Sequence, residues 1–182
     1  MEAVSGAAEE HTPAASTHER GKYLWVMSVA LAIVLLDQVT KLWIAASMRL
    51  HQSIPVIDGF FDLTYVRNSG AAFSMFAGHS ATYRIPFFVA VSTIAVGVIL
   101  SFVRSTPANQ KAALLGCAFV LGGAVGNLID RIAYGEVIDF LDVYYQGWHW
   151  PAFNVADTFI SSGVILLLIR GVFTRDDRPE TD

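Results

Sequence analysis

The chain has 182 residues, 54% of them hydrophobic, and a mean hydropathy of +0.48. That is too apolar for an ordinary soluble domain of this length. The formal charge of −4 sits mostly at the two ends, and no basic stripe suits nucleic acid. The apolar residues fall instead in long runs that need a bilayer as solvent.

Residues 1–20, "MEAVSGAAEEHTPAASTHER", are small and polar without apolar period, the composition of a disordered tail. "YLWVMSVALAIVLLDQVTKLWIAAS" (23–47) follows Arg20 and Lys22 as a cleavable signal would. It is longer than the usual apolar region of a signal and continues past Asp37 and Lys41, so a retained span fits better. Residues 50–82 contain "IDGFFDLTYVRN", where Phe61, Leu63 and Tyr65 alternate with Asp62, Thr64 and Val66. Such alternation predicts short strands, and Phe60, Phe61 and Tyr65 would suit a platform on the membrane surface. "IPFFVAVSTIAVGVILSFV" (85–103) and "AALLGCAFVLGGAVGNLI" (112–129) approach the ~20 residues that cross ~30 Å of hydrocarbon. The connection "RSTPANQK" between them is short. Residues 132–150 end in the interfacial aromatic cluster "VYYQGWHW", and "PAFNVADTFISSGVILLLI" (151–169) forms the last span before a charged tail. Cys117 stands alone in an apolar run, where it packs as a small hydrophobe. "LLGC" around it imitates a lipoprotein cleavage box but lies mid-chain, without a charged region just before it.

The expected fold is an all-α membrane protein: a four-transmembrane-helix bundle with a small β-strand platform, at about 50–80, on the outer face. Its spans lie at about 23–47, 85–103, 112–130 and 151–169, within one domain over 21–170, and 171–182 is a charged tail. With both termini on one side, that side holds Arg20, Lys22, Arg104, Lys111, Arg170, Arg175 and Arg178. The other holds Arg49, Arg67, Arg84 and Arg131. The excess places both termini in the cytoplasm.

In this topology Asp37 and Lys41 of the first span, Asn127, Asp130 and Arg131 of the third, and Asn154 and Asp157 of the fourth all reach the outer half of the bilayer. Asp37 and Lys41 share a face at i, i+4, as do Asn127 and Arg131, and Asn154, Asp157 and Ser161 form a stripe. A charge at mid-bilayer costs roughly 2.5–3.5 kcal/mol on insertion scales, so several at one depth imply a shared polar cavity. Asp37 with Lys41 could equally be a structural ion pair, and Asp130 beside Arg131 reads as a positioning group. Gly122, Gly123 and Gly126 permit close helix packing. Asp139, among Val137, Ile138, Phe140 and Leu141, and Asp157, within "FNVADTFI", have no basic neighbour in sequence. Two desolvated carboxyls can share one proton, one acting as base and the other as acid. Such a pair can activate water against an amide. Asp142 reads as a rim residue, though spacing alone separates it from Asp139 only slightly.

"DQVTK" (37–41), "NSGAAFS" (68–74), "GGAVGNLIDRI" (122–132), "VIDF" (137–140) and "FNVAD" (153–157) occur in order across these spans. Together they closely resemble the lipoprotein signal peptidase (signal peptidase II) family over residues 23–170. The resemblance implies an aspartic endopeptidase of the bacterial inner membrane. It would remove signal peptides from prolipoproteins just before a cysteine already carrying diacylglycerol, and would be inhibited by the cyclic peptide globomycin. It places the catalytic pair on Asp139 and Asp157. Asp37, Lys41, Asn68, Gly70, Asn127, Arg131 and Asn154 fall on positions that line or support the substrate site. It implies no cofactor and no metal.

Two other classes compete. A proton- or ion-coupled transporter also uses intramembrane carboxylates, but would spread them through the membrane and show a mirrored second half. A metal enzyme acting on lipid phosphate could use Asp and Asn ligands, yet the histidines are scattered and no HExxH motif is present. The G-x-G-D signature of other intramembrane aspartic peptidases is absent.

Overall fold

The computed structural model describes residues 17–70 and 81–173. The stretch 71–74 of "NSGAAFS", the remainder of the expected platform to residue 80, and the tails at 1–16 and 174–182 lie outside the described residues. The elements run α1 (Thr17–Ser47), β1 (Ser53–Ile57), β2 (Phe61–Asn68), α2 (Ala81–Ser105), α3 (Lys111–Tyr134), β3 (Val137–Tyr145), β4 (Trp148–His149) and α4 (Val155–Phe173). Three helices, over Glu19–Ser47, Thr82–Ser105 and Lys111–Tyr134, are long and apolar enough to cross a membrane.

Helix α3 is the axis. It packs against α1, α2 and α4, while α2 leans chiefly on α3 and α1 also touches α4. Small residues allow this crowding. A Cβ at Gly122 would meet Ala30 and Ile33 of α1, and one at Gly123 would run into the Ala156 carbonyl of α4. Apolar side chains such as Leu31 and Leu35 of α1, Ile94 and Val98 of α2 and Leu168 of α4 point outward, as a bilayer demands.

Two apolar clusters are buried. One joins Val26 and Ala30 of α1 to Val103 of α2 and to Leu114, Cys117, Ala118 and Leu121 of α3, so Cys117 does pack as a small hydrophobe. The other joins Ile44 and Met48 at the far end of α1 to Tyr65, Ile138 and Phe140 of the strands. Between them lies a polar layer containing buried Asp37, Lys41, Asn127, Asp130, Asp139 and Asn154.

The sheet is antiparallel, in the order β1-β2-β3-β4. The strand signal at 57–67 therefore marks only part of it. Residues 137–149, read from the sequence as an aromatic connection, supply two strands. Gly135 ends α3 in the left-handed region at φ 75°, its N–H donating to the Arg131 carbonyl at 3.0 Å. The chain then turns straight into β3, where Val66 pairs with Asp139 and Asn68 with Val137. Two helix boundaries also differ from expectation. Helix α1 begins at Thr17, inside the stretch read as a tail, and α4 begins at Val155 rather than 151. Residues before Val155 stay extended, because Phe153 bridges to Leu141 and completes the other edge of β3.

Candidate active site

The start of α4 places one carboxylate. Asn154 Oδ1 accepts the Asp157 N–H at 2.9 Å, and Asp157 Oδ2 accepts the Asn154 N–H at 3.3 Å. This reciprocal capping box satisfies two amides that a helix start leaves without partners. The next such amide, Ala156 N–H, donates to Asp37 Oδ1 of α1 at 2.9 Å. The helix thus begins where its polar side chains hold it, and Asp157 is fixed by the local geometry of the cap.

Strand β3 places the other. Asp130 Oδ2 accepts the Ile138 N–H at 3.1 Å, pinning the strand to the end of α3. Asp139, the next residue, receives two amide donors: Asn154 Nδ2 at 2.7 Å on Oδ1 and Asn68 Nδ2 at 2.9 Å on Oδ2. Burial, and after it the charge of Asp157, push the Asp139 carboxyl up to about 7, against the pull of the Asn68 and Asn154 donors and of Lys41. Asn154 therefore touches both carboxylates. The Asp139 side opens on a cavity of 240 Å³ lined by Val66 to Ser69, Pro151 and Ala152. Asp157 opens on another of 310 Å³ with Trp150, Phe153, Thr158, Ser161, Ser162 and Ile165.

Behind the carboxylates, Lys41 is fully buried and pairs with Asp37 at 2.8 Å and Asp130 at 2.9 Å. It also donates to Asn127 Oδ1 at 2.8 Å, and Asn127 Nδ2 donates to Asp157 Oδ1 at 2.7 Å. Arg131 donates weakly to the Asn127 carbonyl at 3.4 Å and lies over the Phe88 ring, 5.3 Å from its centroid. Gly70 N–H donates to Asn68 Oδ1 at 2.8 Å. Gly70 has φ 91°, a backbone that side chains rarely adopt, and a Cβ there would enter the Phe88 ring.

All nine candidate residues, Asp37, Lys41, Asn68, Gly70, Asn127, Arg131, Asp139, Asn154 and Asp157, thus join one connected network. Asp130 belongs to it as the positioning group its sequence context suggests. Asp142 does not: it faces His149 at 3.0 Å on the outer side of the hairpin. Sequence reasoning missed Gln38, which donates to Asp130 Oδ1 at 3.0 Å and to the Gly126 carbonyl at 3.2 Å. The one available signal was its place inside "DQVTK".

Comparison with known proteins gives the family. The family described as "Signal peptidase (SPase) II" matches residues 29–173. The chain belongs to the signal peptidase II family. The lipoprotein signal peptidase of Geobacter sulfurreducens is 54% identical over 142 residues, covering 78% of this chain and 88% of that one. The lipoprotein signal peptidase of Syntrophus aciditrophicus is 52% identical over 137 residues, covering 75% and 85%. A bacterial membrane enzyme structure solved at 2.3 Å has a TM-score of 0.74 at 32% identity, over 86% of this chain and 93% of that one. A second, solved at 1.9 Å, has a TM-score of 0.71 at 34% identity, over 80% and 90%. Family membership makes the chain a bacterial membrane protease.

Proposed function

We propose that this signal peptidase II removes signal peptides from diacylglyceryl-modified prolipoproteins of the inner membrane, with Asp139 and Asp157 as its catalytic pair. The observation that carries this reading is Asn154. It holds one carboxylate from β3 and one from α4 in a single buried polar layer. Helix α4 is the fourth span in this reading, both termini are cytoplasmic, and the carboxylates face the periplasmic boundary. The signal helix lies among the spans, and the bond before the lipidated cysteine reaches the pair.

One aspartate takes a proton from water as the oxygen attacks the carbonyl carbon. The other, protonated, donates to the carbonyl oxygen. The first aspartate then passes its proton to the leaving nitrogen as the C–N bond breaks, a hydroxyl of the tetrahedral diol returns its proton to the second as the C=O re-forms, and the pair is left with one proton again. A carboxyl held at about 7, like that of Asp139, is suited to exchange a proton at neutral pH. Asn68, Asn127, Arg131 and Asn154 hold the carboxylates and the substrate backbone, and β1 and β2 cover the site from outside.

Incubation of the purified protein with a diacylglyceryl lipobox peptide tests this reading. Cleavage just before the lipidated cysteine, blocked by globomycin and unaffected by chelator, is the expected result. Asp139→Asn and Asp157→Asn should each abolish cleavage while the protein still inserts. Normal processing by either variant removes that residue from the mechanism, and solute flux through liposomes without cleavage would return the transporter reading.

A further inference from the structure

The polar network accounts for how the carboxylates are held, yet leaves Arg131 with weak anchorage. Its one hydrogen bond among the described residues is long, 3.4 Å to the Asn127 carbonyl. Its charge lies close enough to Asp139, Asp157 and Asp130 to interact with all three. A long side chain with one weak contact would sample many rotamers. What meets it is the face of Phe88, from the first turns of α2.

The same ring has a second neighbour. Gly70 lies so close that a Cβ there would overlap three ring carbons. Gly70 in turn donates its N–H to Asn68 Oδ1, which leaves Asn68 Nδ2 to face Asp139 Oδ2. One side chain from α2 is thus packed between the two groups that approach the carboxylate pair from outside the buried Lys41 cluster. Helix α2 carries no other residue in the network among the described ones.

We propose that Phe88 is a positioning residue for catalysis. Its ring face holds the Arg131 guanidinium toward the carboxylates by cation–π attraction, and its edge backs the Gly70 turn that aims Asn68 at Asp139. The proposal rests on the reading of Asp139 and Asp157 as the catalytic pair. It assigns α2 a part in the reaction that the polar residues alone do not reveal.

Leucine keeps an apolar side chain of similar reach but has no ring face, whereas tyrosine keeps the ring. A cation–π contact partly shielded from water corresponds to a factor of about ten in rate. Phe88→Leu should therefore lower kcat about tenfold with KM within about twofold, and Phe88→Tyr should restore kcat to near the original. In an Arg131→Met background, which already lacks the cation, Phe88→Leu should add less than about twofold. Equal loss in Phe88→Leu and Phe88→Tyr, or a full tenfold further loss in the Arg131→Met background, overturns the proposal. So does an unchanged kcat in Phe88→Leu. The Asp139→Asn and Asp157→Asn variants separate the two levels. If they are inactive while Phe88→Leu is unaffected, only the role of Phe88 falls. If either retains activity, the underlying reading falls first.

Discussion

A lysine ammonium has only donors, so Lys41 can meet the Asn127 amide solely through its oxygen, and the NH₂ is left to face Asp157. The same logic recurs twice. Gly70 N–H takes the oxygen of Asn68, and Asp157 N–H takes the oxygen of Asn154, so both NH₂ groups turn to Asp139. Three amides are each oriented from behind and aimed at an acid in front. Asn154→Asp therefore exchanges a donor for a third carboxylate of the same shape. We expect kcat to drop about 100-fold, and thermal stability to fall as well, since the cap is kept but a buried carboxylate now faces Asp139, Asn127 Oδ1 and the Ile138 carbonyl. Steady-state kinetics and a melting curve on the same sample separate the two effects. Asp139 supplies a pH signature. Its folded value, about 7, lies above the ordinary 3.8, so the native state binds the extra proton. Its contribution to stability is whole below about pH 4 and is lost as pH rises through 7. Asp139→Asn should flatten that slope and make the protein more stable than its parent at pH 8, by a few kcal/mol at most. Unfolding midpoints at pH 5 and pH 8 test this. Lys41, Asn127, Asn154 and Asp157 were legible in the sequence because each is out of place in an apolar run, whereas Asn68 and Gly70 followed only from the family resemblance. Gln38 escaped because a neutral amide beside Asp37 and Lys41 carries no comparable penalty.

At the scale of elements, α1 and α3 are held together by an ion cluster as well as by packing. Asp37 and Asp130 lie on either side of Lys41, and all three are almost wholly buried. Lys41→Met would strand two carboxylates in a site closed to water, a loss of about 3–5 kcal/mol. Adding Asp37→Asn to Lys41→Met should recover part of it, as read from denaturant or thermal unfolding in detergent. The four helices showed in the sequence by their apolar runs, but their ends did not. "PAFN" is apolar enough to extend the last span backward, whereas its backbone is committed to β3 and only Asn154 can begin the helix. Strand β3 was hidden for a related reason. Val137, Ile138, Asp139 and Phe140 are all buried, so the period-two alternation that marked β2 never appears.

For the whole molecule, the proposed topology predicts which loops meet each side of the membrane. Cys117 is buried and is the one cysteine in the chain, so a Cys117→Ser background can carry single cysteines as reporters. A cysteine at exposed Trp148 should react with an impermeant maleimide once the outer membrane is opened. One in place of Asn109, between α2 and α3, should react only after the inner membrane is breached. The reverse pattern would invert the orientation read from the basic residues. The convergence of distant segments was legible from the alternating direction of the helices and the spacing of their polar residues. The sheet that brings Asp139 back to α4 was not, because pairing between β2 and β3 joins residues 69 to 82 apart.

The distribution of charge within each helix bears on biosynthesis. Asp37 enters the membrane on the same helical face as Lys41, and Asp130 is followed at once by Arg131. Asp157 sits in the first turn of its helix. Asp37 thus reaches the insertion machinery with its charge opposed by a lysine on its own helix, while Asp130 and Asp157 lie toward an end of theirs. Asp37 keeps that partner in the folded protein, and Asp130 joins it on Lys41 only as α1 and α3 close on one another.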